Sequence, residues 1–253
     1  MRNKGLVSSP LYILWKRYTR QIDEFGLFRY CIMLCGHKKL LNTLSVVLAS
    51  QSPRRQEILT NNLGFEGFTC IPSNFNEDID KTTCVNAEEY VQRTCNGKMN
   101  DILSRRKELD IQPDLVISAD TIVVGVDGNI LEKPVDRSHA ISMLSSLQGN
   151  KHRVMTAVTL GLLDKLDDNQ YKIRSFIECT DVHFIALDAE EIEAYCDSGE
   201  PYDKAGGYGI QGVASSFVEK IEGDYFNVVG FPVHRFAVEL LDVMAIRPGR
   251  ASS

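Results

Sequence analysis

The chain has 253 residues, enough for one large hydrophobic core or two small ones. Its 28 Lys/Arg and 34 Asp/Glu leave a net charge of −6, unevenly spread: residues 1–45 carry eight Lys/Arg against Asp23 and Glu24, so the remainder carries −12. A body this acidic argues against a general nucleic-acid binder, and no apolar run approaches the ~20 residues that span a bilayer.

Residues 1–43 are basic, with apolar stretches broken by charge. A mitochondrial presequence has this basic character, but Asp23 and Glu24 argue against one. The segment is read as a poorly ordered extension, followed by one domain over residues 44–246 and a tail over 247–253. Residues 44–49 predict a buried strand. It runs into Ser50-Gln51-Ser52-Pro53-Arg54-Arg55, where Ser52 suits a helix N-cap, Pro53 the first helical position and Gly64 the helix end. Two arginines in a first turn oppose the helix dipole. They become favourable if an anion docks there, where N–H groups, the two guanidinium forks and the hydroxyls of Ser50 and Ser52 would cradle a polyphosphate. The alternative is that Arg54 and Arg55 face water or pair with carboxylates elsewhere.

Residues 68–71 predict a second strand, followed by a polar loop with Glu77, Asp78 and Asp80. Residues 86–107 predict a long helix with Tyr90, Val91, Met99, Ile102 and Leu103 inward, ended by Pro113. Residues 115–124 are almost wholly apolar and predict a central strand. Asp127-Gly128 signals a hairpin to a return strand at Ile130-Leu131. Asp120 is then a carboxylate within an apolar strand, where an unpaired charge is costly, so it needs a cation, a metal or a function. A structural salt bridge is the plain alternative.

Asp136 caps a helix that turns Ala140, Ile141, Met143, Leu144 and Leu147 inward and ends at Gly149. Residues 154–163 and 171–186 predict two long antiparallel strands around a polar turn at 164–170. Asp188 and Glu191 form a capping box for a short helix ending at Gly199. Residues 199–212 contain five glycines, the mark of tight backbone, and match neither the Walker A pattern nor the dinucleotide fingerprint. Lys204 and Gln211 in this stretch could clasp a phosphate and read a base edge. Residues 213–221 and 227–229 are read as a strand pair around Glu222-Gly223-Asp224, and Pro232 opens a last amphipathic helix through Met244. The seven cysteines, odd in number and scattered, read as reduced thiols of a cytoplasmic protein. Cys31, Cys35 and His37 lack the second ligand pair that a zinc site needs.

Together these stretches resemble the Maf family of nucleoside triphosphate pyrophosphatases over about residues 46–241. The resemblance rests on Ala49-Ser50-Gln51-Ser52-Pro53-Arg54-Arg55, Ala119-Asp120-Thr121, Lys133-Pro134, His152-x-Val154-x-Thr156 and Gly199-Glu200-Pro201-x-Asp203-Lys204-Ala205-Gly206, in family order. Gly223-Asp224-Tyr225 and Val228-Val229-Gly230-Phe231-Pro232 extend it. The run from Asp203 to Gly212 is similar to the branch acting on dTTP and UTP. The wording around Arg54, Leu131 and Gly206 is similar to the animal Maf domain fused to a methyltransferase-like domain. Cys95 stands where the family commonly has Ala.

The resemblance implies an α/β fold of the Maf/ITPase-like kind, with a mixed sheet and two lobes around a central cleft, usually as a homodimer. It implies hydrolysis of dTTP, UTP or modified pyrimidine triphosphates to monophosphate and pyrophosphate, a house-cleaning activity of nucleotide metabolism, with a divalent metal (Mg²⁺ or Mn²⁺). It makes Asp120 the proton acceptor, and Arg54, Thr121 and Gln211 the positions that influence substrate choice. The residues add that an acidic body needs a local cationic patch to accept a polyphosphate, which Arg54, Arg55, Lys98, Lys133 and Lys204 could supply. Asp120, with Glu77, could hold the metal or orient the water, two roles that sequence does not separate. A solvated helix face and loop are the plain readings of Lys98 and Glu77, and a local hydrogen bond that of His152. Two other functions stand beside this one: a pyrophosphatase selective for modified nucleotides such as 5-methyl-UTP, and a nucleotide-binding regulator without catalysis. A panel of triphosphates separates the first; tight binding without pyrophosphate release would mark the second.

Overall fold

The apolar runs form one seven-stranded mixed sheet in the computed structural model, which describes residues 37–164 and 170–244. Its strands are β1 (Val46–Leu48), β2 (Thr69–Cys70), β3 (Leu115–Val124), β4 (Ile130–Leu131), β5 (Lys151–Asp164), β6 (Gln170–Phe184) and β7 (Val218–Glu222). The order is β2-β1-β3-β5-β6-β7, with β4 also paired to β3. β1 is parallel to both its neighbours, and every other pairing is antiparallel. The helices are α1 (Lys38–Leu41), α2 (Pro53–Glu57), α3 (Ala87–Arg105), α4 (Arg137–Leu147), α5 (Ala189–Asp197), α6 (Tyr225–Val229) and α7 (Val233–Val243). None of the described helices is long and apolar enough to cross a membrane.

The predicted caps form. Asn86 accepts from Glu89 N at 2.8 Å and Asp136 from His139 N at 2.7 Å, and Asp188 and Glu191 close a reciprocal capping box. Four features differ from expectation. Of residues 213–221, read as a strand, Val213–Phe217 form a 3-10 helix, and β7 covers only Val218–Glu222. The helix after Ser52 is α-helical only to Glu57 and continues as a π-helical turn, Ile58–Asn62. Residues 227–229 are helical, not a strand. Asp224 caps α6 through Phe226 N, Gly230 ends it at φ 118°, and the fully buried Asn227 gives its amide to Val154 O and Thr180 Oγ1. The packed domain also starts before residue 44, because Leu41 is 1% exposed in the core. The turn 165–169, Cys31, Cys35 and most of the extension lie outside the described residues.

Strand alternation distributes the core over the two sheet faces. Val116, Ser118, Asp120 and Ile122 of β3 face α3, whose buried stripe is Tyr90, Val91, Cys95, Lys98, Met99 and Ile102. The other face carries two clusters. Leu48, Ile117, Leu160, Leu59, Phe231 and Phe236 pack at one end, and Val123, Val154, Leu144, Phe184, Tyr195 and Phe217 at the other.

Between these clusters the edge of β3 is open. β1 pairs with β3 only as far as Leu48↔Ile117, and β4 rejoins it at Val123↔Leu131. Ala49 N continues the ladder to Ile117 O at 2.7 Å, and the next β3 carbonyl, that of Ala119, accepts from Arg55 Nη1 at 2.9 Å. Arg55 also donates to Ser50 Oγ (3.2 Å), Thr121 Oγ1 (3.0 Å) and Gly230 O (3.0 Å). Four of its five N–H groups thus serve protein acceptors, and burial pulls its pKa down. Lysine has no planar fork to span these acceptors. Arg55→Lys is expected to lower unfolding stability by ~2–3 kcal/mol, measured by urea titration; a loss within the error of the titration would remove the clamp.

At the far cluster, His152 Nε2 meets Tyr208 OH at 2.8 Å, and its Nδ1 has no partner among the described residues. Burial, with a smaller push from His183, lowers the His152 pKa from 6.5 to about 4. Between those values the unfolded chain binds a proton that the folded chain does not. Stability should therefore fall as pH drops from 6.5 toward 4, by up to about 3 kcal/mol. His152→Gln should flatten that window in unfolding at pH 4.5 and 7.5; equal losses in both proteins would reassign the effect.

Candidate active site

The open edge of β3 lies where the chain changes side of the sheet. The turn after β1 packs Ile58 and Leu59 on one face, while α3, which leads into β3, covers the other. In open α/β sheets such a point leaves a crevice outside the carboxyl ends of the strands. Here it is a cleft of about 950 Å³, lined by every residue expected to bind substrate, hold a metal or take a proton: Ser50, Ser52, Arg54, Arg55, Glu77, Lys98, Asp120, Thr121, Lys133, Lys204 and Gln211. Because β1 stops short, consecutive β3 residues on opposite faces, Asp120 and Thr121, both reach it.

Asp120 is 9% exposed, and its Oδ1 accepts from Lys98 Nζ at 2.7 Å. The same ammonium meets Glu77 Oε2 at 2.8 Å. Lys98 thus occupies the inner face of α3, 7% exposed, and not the solvated face that was its plain reading. Breaking such a buried pair by removing one partner is costly. Glu77 reaches Lys98 because its loop lies tight on α3: the Phe75 ring sits against Gly97, where a Cβ would collide with it. Two carboxylates therefore converge on one cationic point. Tyr90 OH, read from the sequence only as core, donates to Glu132 Oε1 at 2.8 Å, and burial followed by that carboxylate raises its pKa. Glu132 also pairs with Lys81 at 2.7 Å. Among the described residues no three His, Cys, Asp or Glu side chains form a metal-binding cluster.

Ser50 Oγ accepts from Ser52 N and Arg55 Nη1, both at 3.2 Å, which leaves its own proton to give. Ser52 caps α2 through Arg55 N. Thr121 Oγ1 meets Thr156 Oγ1 at 3.0 Å, and Thr156 donates to Asn227 O at 3.1 Å, so α6 and Arg55 are joined by one hydroxyl relay. Cys95 fills its place against Ser118 and Thr159, and burial raises its thiol pKa, which makes it inert.

The glycine-rich stretch forms the opposite wall. Gly206 has φ 70°, and a Cβ there would stand 2.7 Å from Val123 Cγ2. The loop is braced by Glu200, whose carboxylate accepts from Tyr195 OH and Val213 N, each at 3.0 Å. Lys204 Nζ donates to Glu200 O and Asp203 Oδ1, both at 2.6 Å, and Arg54 Nη1 reaches Asp203 Oδ2 at 2.7 Å across the cleft mouth. Lys133 and Gln211 are exposed, with no side-chain partner among the described residues. Sequence reasoning missed Glu132, Glu200 and Asp203 as contributors; the acidic residues flanking the motif lysines were the available signal.

The family model "Maf-like protein" matches residues 45–243. A human protein named "Probable bifunctional dTTP/UTP pyrophosphatase/methyltransferase protein" is 45% identical over 199 residues, 78% of this chain; the chain spans only 31% of that relative's length. The "dTTP/UTP pyrophosphatase" of Clostridium perfringens (strain 13 / Type A) is 42% identical over 203 residues, covering 79% of this chain and 98% of its own. Among solved structures, the Staphylococcus aureus Ham1 protein aligns with 80% of this chain and 98% of its own at 14% identity and a TM-score of 0.37. With a family model covering most of its length and relatives above 40% identity along nearly their whole sequence, this chain belongs to the Maf family.

Proposed function

We propose that this cleft hydrolyses pyrimidine nucleoside triphosphates, dTTP and UTP among them, to the monophosphate and pyrophosphate, in a metal-dependent reaction. The observation that carries the reading is the ion pair of Asp120 with Lys98 at 2.7 Å, in the same cleft as Arg54, Lys133 and Lys204. The names borne by the relatives support the substrate class. In a body of net negative charge, this local group of cations is what would draw in a polyphosphate.

Each residue then has a task. Lys133, Lys204 and Arg54 hold the phosphate chain, and the Ser50 proton adds a donor. Asp120 takes the proton of the water that attacks the α-phosphorus. As that P–O bond forms, the α–β anhydride bond breaks and pyrophosphate leaves with its electron pair. Lys98 engages Asp120 Oδ1, leaving Oδ2 unengaged among the described residues. Arg55, tied to four protein acceptors, positions Thr121 and the floor of the cleft more than it grips phosphate. Gln211 can both donate to and accept from a pyrimidine edge.

The donor set suits a divalent metal. Asp120 and Glu77 already converge on one ammonium, and Mg²⁺ commonly uses one or two carboxylates together with substrate phosphates and water. Bound there, it would supply Lewis-acid polarisation of a phosphoryl oxygen. All five described cysteines are free thiols, which suits a reducing compartment such as the cytoplasm.

Purified protein with Mg²⁺ should release pyrophosphate from dTTP or UTP in a panel that includes 5-methyl-UTP and a purine triphosphate. Asp120→Asn should lower turnover at least ~10²-fold, with the fold retained at reduced stability because Glu77 still pairs with Lys98. Wild-type turnover by that variant would sink the assignment of Asp120. Chelation should stop release and added Mg²⁺ or Mn²⁺ should restore it; full activity in excess chelator would remove the metal.

A further inference from the structure

We propose that the Asp203 carboxylate holds the place of a phosphate group between Arg54 and Lys204, so that a polyphosphate binds by displacing it. This rests on reading the cleft as a polyphosphate site. Each carboxylate oxygen engages one cation, Oδ2 with Arg54 Nη1 at 2.7 Å and Oδ1 with Lys204 Nζ at 2.6 Å, as two oxygens of a phosphate group would.

The exposures are unequal in the direction displacement requires. The Asp203 side chain is 60% exposed, against 26% for Arg54 and 16% for Lys204. The anion is the wet partner and can turn into solvent while the cations stay. Both cations also have main-chain anchors independent of the carboxylate: Lys204 donates to Glu200 O at 2.6 Å, and Arg54 Nη2 to Asp203 O at 3.3 Å. The loop between them is braced through Glu200, Tyr195 and Val213, not through Asp203. Burial alone would raise the Asp203 carboxyl, but Lys204 and Arg54 hold it below its usual range.

The energetics favour exchange. An exposed ion pair contributes ~0–1 kcal/mol, and a multiply charged phosphate chain that also meets Lys133 makes stronger charge-assisted contacts. A singly charged anion gains too little to displace Asp203. The carboxylate therefore discriminates by charge and returns as pyrophosphate leaves, which keeps product from lingering.

The test is pyrophosphate binding by calorimetry to the wild type and to Asp203→Asn, which keeps the shape and removes the charge. The dissociation constant should fall about fivefold or more in the variant, equal to about 1 kcal/mol, and orthophosphate binding should strengthen as well. A merely structural tie across the mouth, once cut, would loosen the cleft and weaken binding, so an unchanged or weaker pyrophosphate constant overturns the proposal. Should the amide variant fail to fold, Asp203→Ser is read in the same way. Wild-type pyrophosphate release from dTTP or UTP tests the activity separately. Absence of turnover with tighter binding in the variant would remove the enzyme reading and leave the role of Asp203 standing.

Discussion

The guanidinium of Arg55 completes a sheet that its strands leave unfinished. β1 is three residues long and ends opposite Ile117, and β4 does not reach β3 again until Val123. The exposed stretch of β3 would carry an unsatisfied carbonyl at Ala119, a cost comparable to a lost hydrogen bond. Arg55 satisfies it and at the same time ties Ser50, Thr121 and Gly230 to that edge. The gap is also the reason a cleft exists. A longer β1 would cover the edge from which Asp120 and Thr121 reach the cavity.

Around this gap the charges form two groups with different energetic character. Lys98, Asp120 and Glu77 meet on the covered face of the sheet, where the Lys98 and Asp120 side chains are 9% and 13% exposed. Removing Lys98 would strand the Asp120 carboxylate, and removing Asp120 would leave the Lys98 ammonium with Glu77 alone, so this group holds its geometry. Arg54, Asp203 and Lys204 meet at the mouth, where water weakens each pair and an incoming anion can take the place of the carboxylate. A rigid acidic centre and an exchangeable cationic rim suit a reaction in which a highly charged tail must be gripped, cut and released.

The two walls come from unrelated pieces of chain. One is the corner after β1. The other is the glycine-rich loop, which closes on β3 because Gly206 adopts a left-handed conformation against Val123 and because Gly206 N bonds to Glu132 O at 3.0 Å. The buried relay through Thr121, Thr156, Asn227 and Thr180 connects the first wall to α6 by links between residues 35, 71 and 47 positions apart, and Thr121 also reaches Gly230 O, 109 positions away.

Local patterns were enough for the sequence to determine strands β1 to β6, the caps at Asn86, Asp136 and Asp188, the central position of β3 and the anomaly of a carboxylate within it. Each depends on the period of apolar residues or on a side chain bonding backbone two or three residues away. The motifs, taken in order, also specified which residues share a cleft. Tertiary structure alone decided what those residues do there. Val228-Val229 has the apolarity of a strand, yet it is one helical turn because Asn227 finds Val154 and Thr180. Lys98 faces inward because Asp120, 22 positions away, lies beneath it, and Arg55 is spent on the sheet because β1 ends early. These outcomes depend on which atoms meet across the fold, and a chain read along its length contains no measure of that distance.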